Sequence, residues 1–314
     1  QYLVELPRGR LQALGIAWDS RPKAEGGQRW FHLYPGQNLK AGDPLHWTGV
    51  NQNWNFMCAE CHSTDLKKNF DASTREFKTT WAEINVACEA CHGPGSRHLE
   101  WAGNKDDRAI QGRGLAISLD ERQGVTWSAP PGCATALRSH PRSSSRELDA
   151  CARCHARAAR ISDDYVHGKP PLDTHRLSLL EEGLYWNDGQ MRDEVYNWGS
   201  FVQSRMHAQG VTCSDCHDPH SLKLRAPGNG VCGQCHASGR YDAPAHTHHA
   251  AGTPGASCPA CHMPTATYMV VDPRHDHSFR IPRPDLTAKL GVPNACNNCH
   301  TKQSARWAVD ALVK

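Results

Sequence analysis

The chain lacks long hydrophobic runs. Across its 314 residues no apolar stretch is longer than four residues, and the longest are residues 56–59 and 268–271. A membrane-spanning helix needs about 20 apolar residues, so the sequence predicts no transmembrane segment. No secretory signal pattern follows Gln1 either.

Apolar residues and net charge are also scarce. Hydrophobic residues make up 39% of the chain, mean hydropathy is −0.64, and the formal charge is only +3 at pH 7. So small a charge excludes strong electrostatic steering to nucleic acid. So polar a chain cannot build a generous side-chain core, and we expect other material to fill its interior.

Cysteine is frequent in this chain, and nearly all of the 15 cysteines share one spacing pattern. Fourteen of the fifteen cysteines fall in seven Cys-x-x-Cys-His motifs, which leaves only Cys133 without a predicted role. The motifs are Cys58-Cys61-His62, Cys88-Cys91-His92, Cys151-Cys154-His155, Cys213-Cys216-His217, Cys232-Cys235-His236, Cys258-Cys261-His262 and Cys296-Cys299-His300. This pattern is the attachment signature of c-type haem.

The spacing has a chemical reason. Residues i, i+3 and i+4 share one face of a helical turn, so two thiols can bond the vinyl groups of one porphyrin while the histidine binds its iron. Zinc ribbons do not need the histidine, thioredoxin-like sites occur once, and disulfides leave the histidine unexplained. The sequence therefore predicts seven covalent haem c groups with the seven motif histidines as proximal ligands.

The fold predicted from these patterns is mainly α with long loops, a small N-terminal β-hairpin and a core made of haem. We expect a single multihaem domain over residues 1–314, with a haem-free, β-rich segment at residues 1–50 and a surface insertion at residues 103–147. Helical segments are expected within residues 172–208 and 304–313.

Thirteen histidines lie outside the motifs, which is enough to supply every iron with a second axial ligand. Met/His ligation is the less favoured alternative because the chain has only five methionines. From the cluster of residues 246–249 we choose His248, with an adventitious divalent-metal site as the alternative. The predicted distal ligands are His46, His98, His175, His207, His220, His248 and His277.

Several stretches resemble a family of multihaem c-type cytochromes that often carry tetratricopeptide repeats downstream. They are residues 26–35, 43–49, 88–95, 210–220, 268–272 and 276–285. The Cys-His-Gly-Pro-Gly segment ending at Gly95 is more distantly similar to the multihaem nitrite reductase and hydroxylamine oxidoreductase superfamily. Family members usually have a further haem motif upstream and often repeats downstream, so the resemblance implies that this chain is trimmed or that its ends are fixed by neighbours.

Two functions follow as expectations. The first is electron transfer through closely spaced haems to redox partner proteins or to copies of the chain in a head-to-tail filament, a nanowire. The alternative is an oxidoreductase in which one haem has an open site for a small nitrogen or sulfur compound; the Cys-x-x-Cys-Lys motif of many nitrite reductases is absent. The family and cofactor imply a periplasmic or extracellular location.

Overall fold

The computed structural model describes residues 1–104 and 111–313. Helix accounts for 30% of the residues and strand for 18%, and the sheets are small and antiparallel. The prediction of a mainly α fold with little strand is therefore confirmed only in part. No helix of the described residues is both long and apolar enough to cross a membrane, the longest being Arg146–His155 with 10 residues.

The chain separates into two compact units. The first contains residues 1–118, 160–168 and 267–272, and the second contains residues 119–159, 169–266 and 273–314. The first unit holds the two N-terminal haem motifs and the second holds the other five. The predicted single domain stays a prediction.

The helices are short, and many consist of one turn. They are α1 (Trp54–Met57), α2 (Cys88–His92), α3 (Ser96–Gly103), α4 (Arg146–His155), α5 (Trp198–Phe201), α6 (Arg205–Ala208), α7 (Cys213–Cys216), α8 (Gly230–Gly233), α9 (Ser238–Tyr241), α10 (Pro244–Thr247), α11 (Cys258–His262), α12 (Pro284–Leu290), α13 (Ala295–Cys299) and α14 (Ala305–Val313). Single 3₁₀ turns lie at Lys23–Glu25, Val50–Gln52, Gln111–Gly114, Pro171–Asp173 and Pro254–Ala256.

The strands are short as well. They are β1 (Leu3–Leu6), β2 (Arg10–Ala13), β3 (Ile16–Asp19), β4 (Arg29–His32), β5 (Phe70–Asp71), β6 (Glu76–Phe77), β7 (Trp127–Ser128), β8 (Leu137–Arg138), β9 (Ala158–Arg160), β10 (His175–Leu177), β11 (His217–Asp218), β12 (Lys223–Leu224), β13 (Thr265–Tyr268) and β14 (Asp272–His275).

The N-terminal hairpin is present, but it is followed by a second one. Strands β1 and β2 pair with Leu3 opposite Ala13, as the Pro-Arg-Gly turn predicts. The strand expected over residues 11–18 is interrupted, and β3 pairs instead with β4, with Trp18 opposite Trp30. The N-terminal prediction is thus confirmed in part.

Residues 172–208 depart from the helical prediction. This stretch contains strand β10 and only the single-turn helices α5 and α6. The turns at Gly183 and Gly189 have φ near 86°, a left-handed conformation that interrupts helix formation. By contrast α14 matches the predicted C-terminal helix, and its Ala308 is fully buried.

Part of the predicted surface insertion packs against a haem motif. The backbone N–H of Ala136 donates to the carbonyl of Cys235 at 2.7 Å, and Thr135 forms a β-bridge with His236. Residues 105–110 of the same stretch lie outside the described residues. These two bonds join residues 135 and 136 to the fifth motif, and the surface insertion stays a prediction.

The side-chain core is as sparse as the composition predicts. One buried cluster of the second unit centres on Leu148, Phe201 and Val211, and a smaller one of the first unit on Trp54, Ala59 and Leu66. Both clusters include motif cysteines, because Cys58 packs on the first unit's cluster and Cys213 on the second's.

Candidate haem-binding site

The motif residues form helical turns, as their spacing predicts. In α2, α4 and α11 both cysteines and the histidine lie in one helix. In α7 and α13 the helix ends at the second cysteine, and the histidine follows directly. The i, i+3, i+4 positions thus lie on one face of the turn in these motifs.

Side chains fix the starts of two of these turns. Asp215 accepts the backbone N–H of Thr212 at 2.9 Å, and Asn294 accepts that of Asn297 at 3.0 Å. Such bonds satisfy donors that a helix start leaves open. The residues between and before the motif cysteines therefore serve to hold the helical turn.

Thiols of neighbouring motifs lie against each other in the second unit. Cys151 donates a hydrogen bond to Cys213, and this contact, followed by burial, raises the pKa of the Cys151 thiol. Burial first and then Cys258, which accepts a hydrogen bond, raises the pKa of Cys232 to about 12.

Two further pairs of cysteines from successive motifs interact electrostatically. Burial raises the pKa of Cys216 to about 11, and Cys235 of the fifth motif contributes to that shift. Burial also raises the pKa of Cys261, to which Cys296 of the seventh motif contributes. Each of the third to sixth motifs therefore has a cysteine that interacts with a cysteine of the next motif in the chain.

Three motif histidines face a histidine from outside the motifs. The ring centroids are 6.4 Å apart for His217 and His277, with planes at 27°. They are 6.0 Å apart at 11° for the pair His246 and His262, and 5.9 Å apart at 29° for the pair His249 and His300. Two imidazoles that bind one metal at about 2.0–2.1 Å from opposite sides have ring centroids about 6 Å apart.

The Nδ1 atoms of these rings are anchored on backbone carbonyls. His277 bonds the carbonyl of His275 at 2.9 Å, His249 that of Thr247 at 2.7 Å, and His262 that of Arg280 at 2.8 Å. Metal-binding histidines use their second nitrogen in this way, which orients the ring and leaves Nε2 for the metal. The histidine pairs therefore fit the cofactor that the motifs imply.

The electrostatic environment favours neutral imidazoles. Burial lowers the pKa of His217 and His277, and burial also lowers the pKa of His155, with His217 as the next cause. The pKa of His246 is lowered by burial and then by His262. Only the neutral ring binds a metal, so these environments suit ligation.

The structure distinguishes among the histidines of the 246–249 cluster differently from the sequence. His248 is exposed at the end of α10 in a left-handed conformation with φ of 58°, whereas His246 and His249 face motif histidines. The geometry therefore favours His246 and His249 over the chosen His248. His246 and His249 lie three residues apart around the turn that ends α10, and no periodicity rule assigns them to two different motifs.

Two further candidates make other contacts in the structure. The Nε2 atom of His207 accepts a hydrogen bond from Arg142 at 2.9 Å, which occupies the nitrogen a metal would need. His220 is exposed in the turn between β11 and β12, where Asp218 accepts its backbone N–H at 3.1 Å.

The remaining candidates have anchored rings. His98 bonds the carbonyl of Arg113 through Nδ1 at 2.8 Å, and the fully buried His175 bonds Thr174 Oγ1 through Nδ1 at 2.8 Å. His46 bonds Thr48 Oγ1 at 2.8 Å. Nδ1 orients the ring in each of the three, so all three stay ligand candidates.

His167, which was not among the chosen ligands, lies beside the second motif. A Cβ atom built on Gly93, the residue after His92, would lie 3.1 Å from Cγ and 3.2 Å from Nδ1 of His167. The glycine therefore allows this ring to approach the end of α2. The sequence ranks His167 as a candidate beside His46 and His175, but it does not show the approach to the second motif from more than 70 residues away in the chain.

Comparison with known proteins agrees with this geometry. The family described as cytochrome c554 and c-prime matches residues 38–93, and the doubled CXXCH motif family matches residues 206–241. The multiheme cytochrome MtrA of Shewanella baltica (strain OS185) is 24% identical over 194 residues, which is 58% of this chain and 53% of that protein. The chain thus spans about half the length of the curated relative it matches.

The fold is supported by one solved structure. The outer cell wall cytochrome OcwA superposes with a TM-score of 0.60 at 19% identity, over 96% of this chain and 68% of that one. An undecaheme cytochrome from the S-layer of Carboxydothermus ferrireducens matches over 96% of this chain and 50% of that one, at 18% identity and a TM-score of only 0.40. Motifs, fold and relatives together define a multihaem c-type cytochrome that binds haem c.

Proposed function

We propose that the chain carries seven covalent haem c groups and conducts electrons through them in sequence order. The observation that carries this proposal is the proximity of cysteines from successive motifs in the second unit. Hydrogen bonds join Cys151 to Cys213 and Cys232 to Cys258, and the pairs Cys216–Cys235 and Cys261–Cys296 interact electrostatically. Because each of these sulfurs would bond the edge of a porphyrin, their proximity would bring neighbouring porphyrin edges close together. Haem iron supplies a one-electron couple when it is bound, and close edges favour electron tunnelling.

Histidines of this chain would occupy the axial positions of the haem irons. We assign His277 as the distal ligand of the fourth motif, His246 of the sixth and His249 of the seventh, on the ring geometry described above. The other candidates His46, His98 and His175, together with His167, remain for the motifs without an assigned pair. Two histidine ligands leave no open site for a substrate, which favours a carrier over an enzyme.

The cofactor count is tested first. We expect the intact mass of the holoprotein to exceed that of the chain by seven haem masses. Ferric electron paramagnetic resonance should give low-spin signals only. Fewer haems would contradict the count, and a high-spin signal would favour the oxidoreductase with one open haem.

The conduction order is tested by removing one haem from the series. In Cys232→Ala/Cys235→Ala the fifth haem cannot attach, so electron passage between the fourth and sixth should slow strongly. A matched variant, Cys88→Ala/Cys91→Ala, removes a haem of the first unit instead. Transient reduction kinetics should show slower equilibration within the last five haems only in the first variant; equal effects in both would contradict the order.

Partners and location are proposed with the same function. Covalent haem attachment occurs outside the cytoplasm, which supports a periplasmic or extracellular site, and redox proteins or copies of this chain are the proposed partners. Head-to-tail contacts that do not close would give a filament. Light scattering over a range of concentrations tests this, because a monomer at every concentration contradicts the filament.

A further inference from the structure

A buried carboxylate connects the third and fourth haem motifs. Glu147 lies in α4 with only 6% of its surface exposed. Its Oε1 accepts the backbone N–H of Ser214 at 2.6 Å, and its Oε2 accepts the Ser214 hydroxyl at 2.8 Å. Ser214 follows Cys213 directly, so one carboxylate bonds α4 to the helix of the next motif.

The same carboxylate lies within one turn of both attachment points. Glu147 precedes Cys151 by four residues in α4, which puts the two on one helix face. Cys151 in turn donates a hydrogen bond to Cys213. Glu147 therefore lies beside the hydrogen bond that joins the two motifs. Reduction of the two haems would make this region more negative.

A second carboxylate faces Glu147 from the segment before β7. Glu121 Oε1 accepts the backbone N–H of Glu147 at 3.3 Å and the Ser144 hydroxyl at 2.5 Å. Its Oε2 is buried and accepts no hydrogen bond from the described residues. Two carboxylates this close disfavour double ionisation, so the site holds a proton more readily than an isolated glutamate would.

The charges around this site do not neutralise it. On the α7 side Asp215 pairs with Arg122 at 3.2 Å, so that arginine is already engaged. Asp149 lies two residues after Glu147 in α4, and its pKa is raised by burial and then by Glu121, while Arg142 opposes the shift. Burial raises the pKa of Glu147 above its ordinary value, the bonds from Ser214 oppose this, and Glu121 adds to it.

We propose that Glu147 is a positioning residue for the third and fourth haems and takes up a proton when that pair is reduced. The step balances: one electron enters from an external reductant, and one proton passes from water to a carboxylate oxygen of Glu147. On reoxidation both leave. This inference rests on the proposed attachment of haem to both motifs.

The consequence is a potential that depends on pH. Reduction favours the protonated carboxyl, so the midpoint potential of the pair should fall as pH rises between the pKa values of Glu147 in the oxidised and reduced states. Outside that window it should be constant. Removing the Ser214 hydroxyl takes away a bond to the charged form, so Ser214→Ala should move the window to higher pH.

The experiment is spectroelectrochemical titration of the holoprotein over a pH series. Wild type should show the pH-dependent step, Glu147→Gln should lose it, and Ser214→Ala should shift it upward. Glu182→Gln removes an exposed carboxylate of the same unit and should behave as wild type. Loss of the step in Glu121→Gln but not in Glu147→Gln would overturn the assignment to Glu147.

A second measurement needs no variant to fold. The infrared difference between reduced and oxidised wild type should contain the C=O stretch of a newly protonated carboxyl, shifted in D₂O. Its absence overturns the proposal. Haem content is measured first on every sample, so missing haem at these motifs contradicts the proposed function, whereas full haem content without the carboxyl band contradicts this inference alone.

Discussion

The rings of His246 and His262 face each other with centroids 6.0 Å apart and planes only 11° from parallel. His248, two residues further on, is exposed like His246 and has a left-handed backbone conformation at the end of α10. A single turn therefore separates the proposed ligand from a neighbouring histidine of the same chemistry.

This relationship predicts different spectra for two variants. His246→Ala should remove the distal ligand of the sixth haem and produce a high-spin ferric signal in electron paramagnetic resonance, because one axial site is then open. His248→Ala is the matched control and should retain the wild-type, low-spin spectrum. A low-spin spectrum in His246→Ala together with a high-spin one in His248→Ala would reverse the assignment.

A second prediction concerns Gly93, which has φ of 72° and ψ of −172° after the second motif. Any Cβ there is strained and would contact both His167 and Ala116 at 3.1–3.2 Å. We expect Gly93→Ala to lower the free energy of unfolding by about 1–3 kcal/mol and to perturb the second haem's spectrum. Gly103→Ala, in α3 with open space around it, is the control, measured by denaturant unfolding. Equal stability of the two variants would contradict the strain argument.

A third prediction concerns the buried Asn55, which joins the N-terminal hairpin to the first motif. Its Oδ1 accepts the backbone N–H of Leu11 at 2.7 Å, and its Nδ2 donates to Thr79 Oγ1 at 2.8 Å. Asn55→Ala leaves both partners without these bonds, and we expect a loss of about 1–3 kcal/mol in denaturant unfolding. The exposed Asn51→Ala should change stability little; a similar loss there would contradict the network.

The sequence predicts local features of this protein well. Five of the seven motifs lie on helical turns, because both thiols and the histidine fall within five consecutive residues. The C-terminal helix was predicted correctly for the same reason, since the apolar spacing that buries Ala308 is contained in one helix face. The sequence predicts a feature correctly where all the residues that determine it lie within a few turns of one chain segment.

Features that depend on distant packing could not be predicted. The helical prediction for residues 172–208 is met only by α5 and α6, because the buried Tyr185 lies between the turns at Gly183 and Gly189 rather than on a helix face. The approach of His167 to Gly93 and the contact of Glu147 with Ser214 each join residues more than 60 positions apart. Sequence spacing carries no signal for such pairs.

A last prediction concerns stability against pH. Burial raises the folded-state pKa of Glu147 above its ordinary value of 4.5, so the native protein binds this proton more tightly than the unfolded chain. The contribution is fully present below 4.5 and is lost as pH rises through the folded-state pKa. For one proton the slope is at most about 1.4 kcal/mol per pH unit. Glu147→Gln should flatten the unfolding free energy of the oxidised holoprotein over this window, and Glu182→Gln should not. Parallel profiles for wild type and Glu147→Gln would show that this carboxyl has the same pKa in the folded and unfolded chain, and would contradict the raised folded-state pKa.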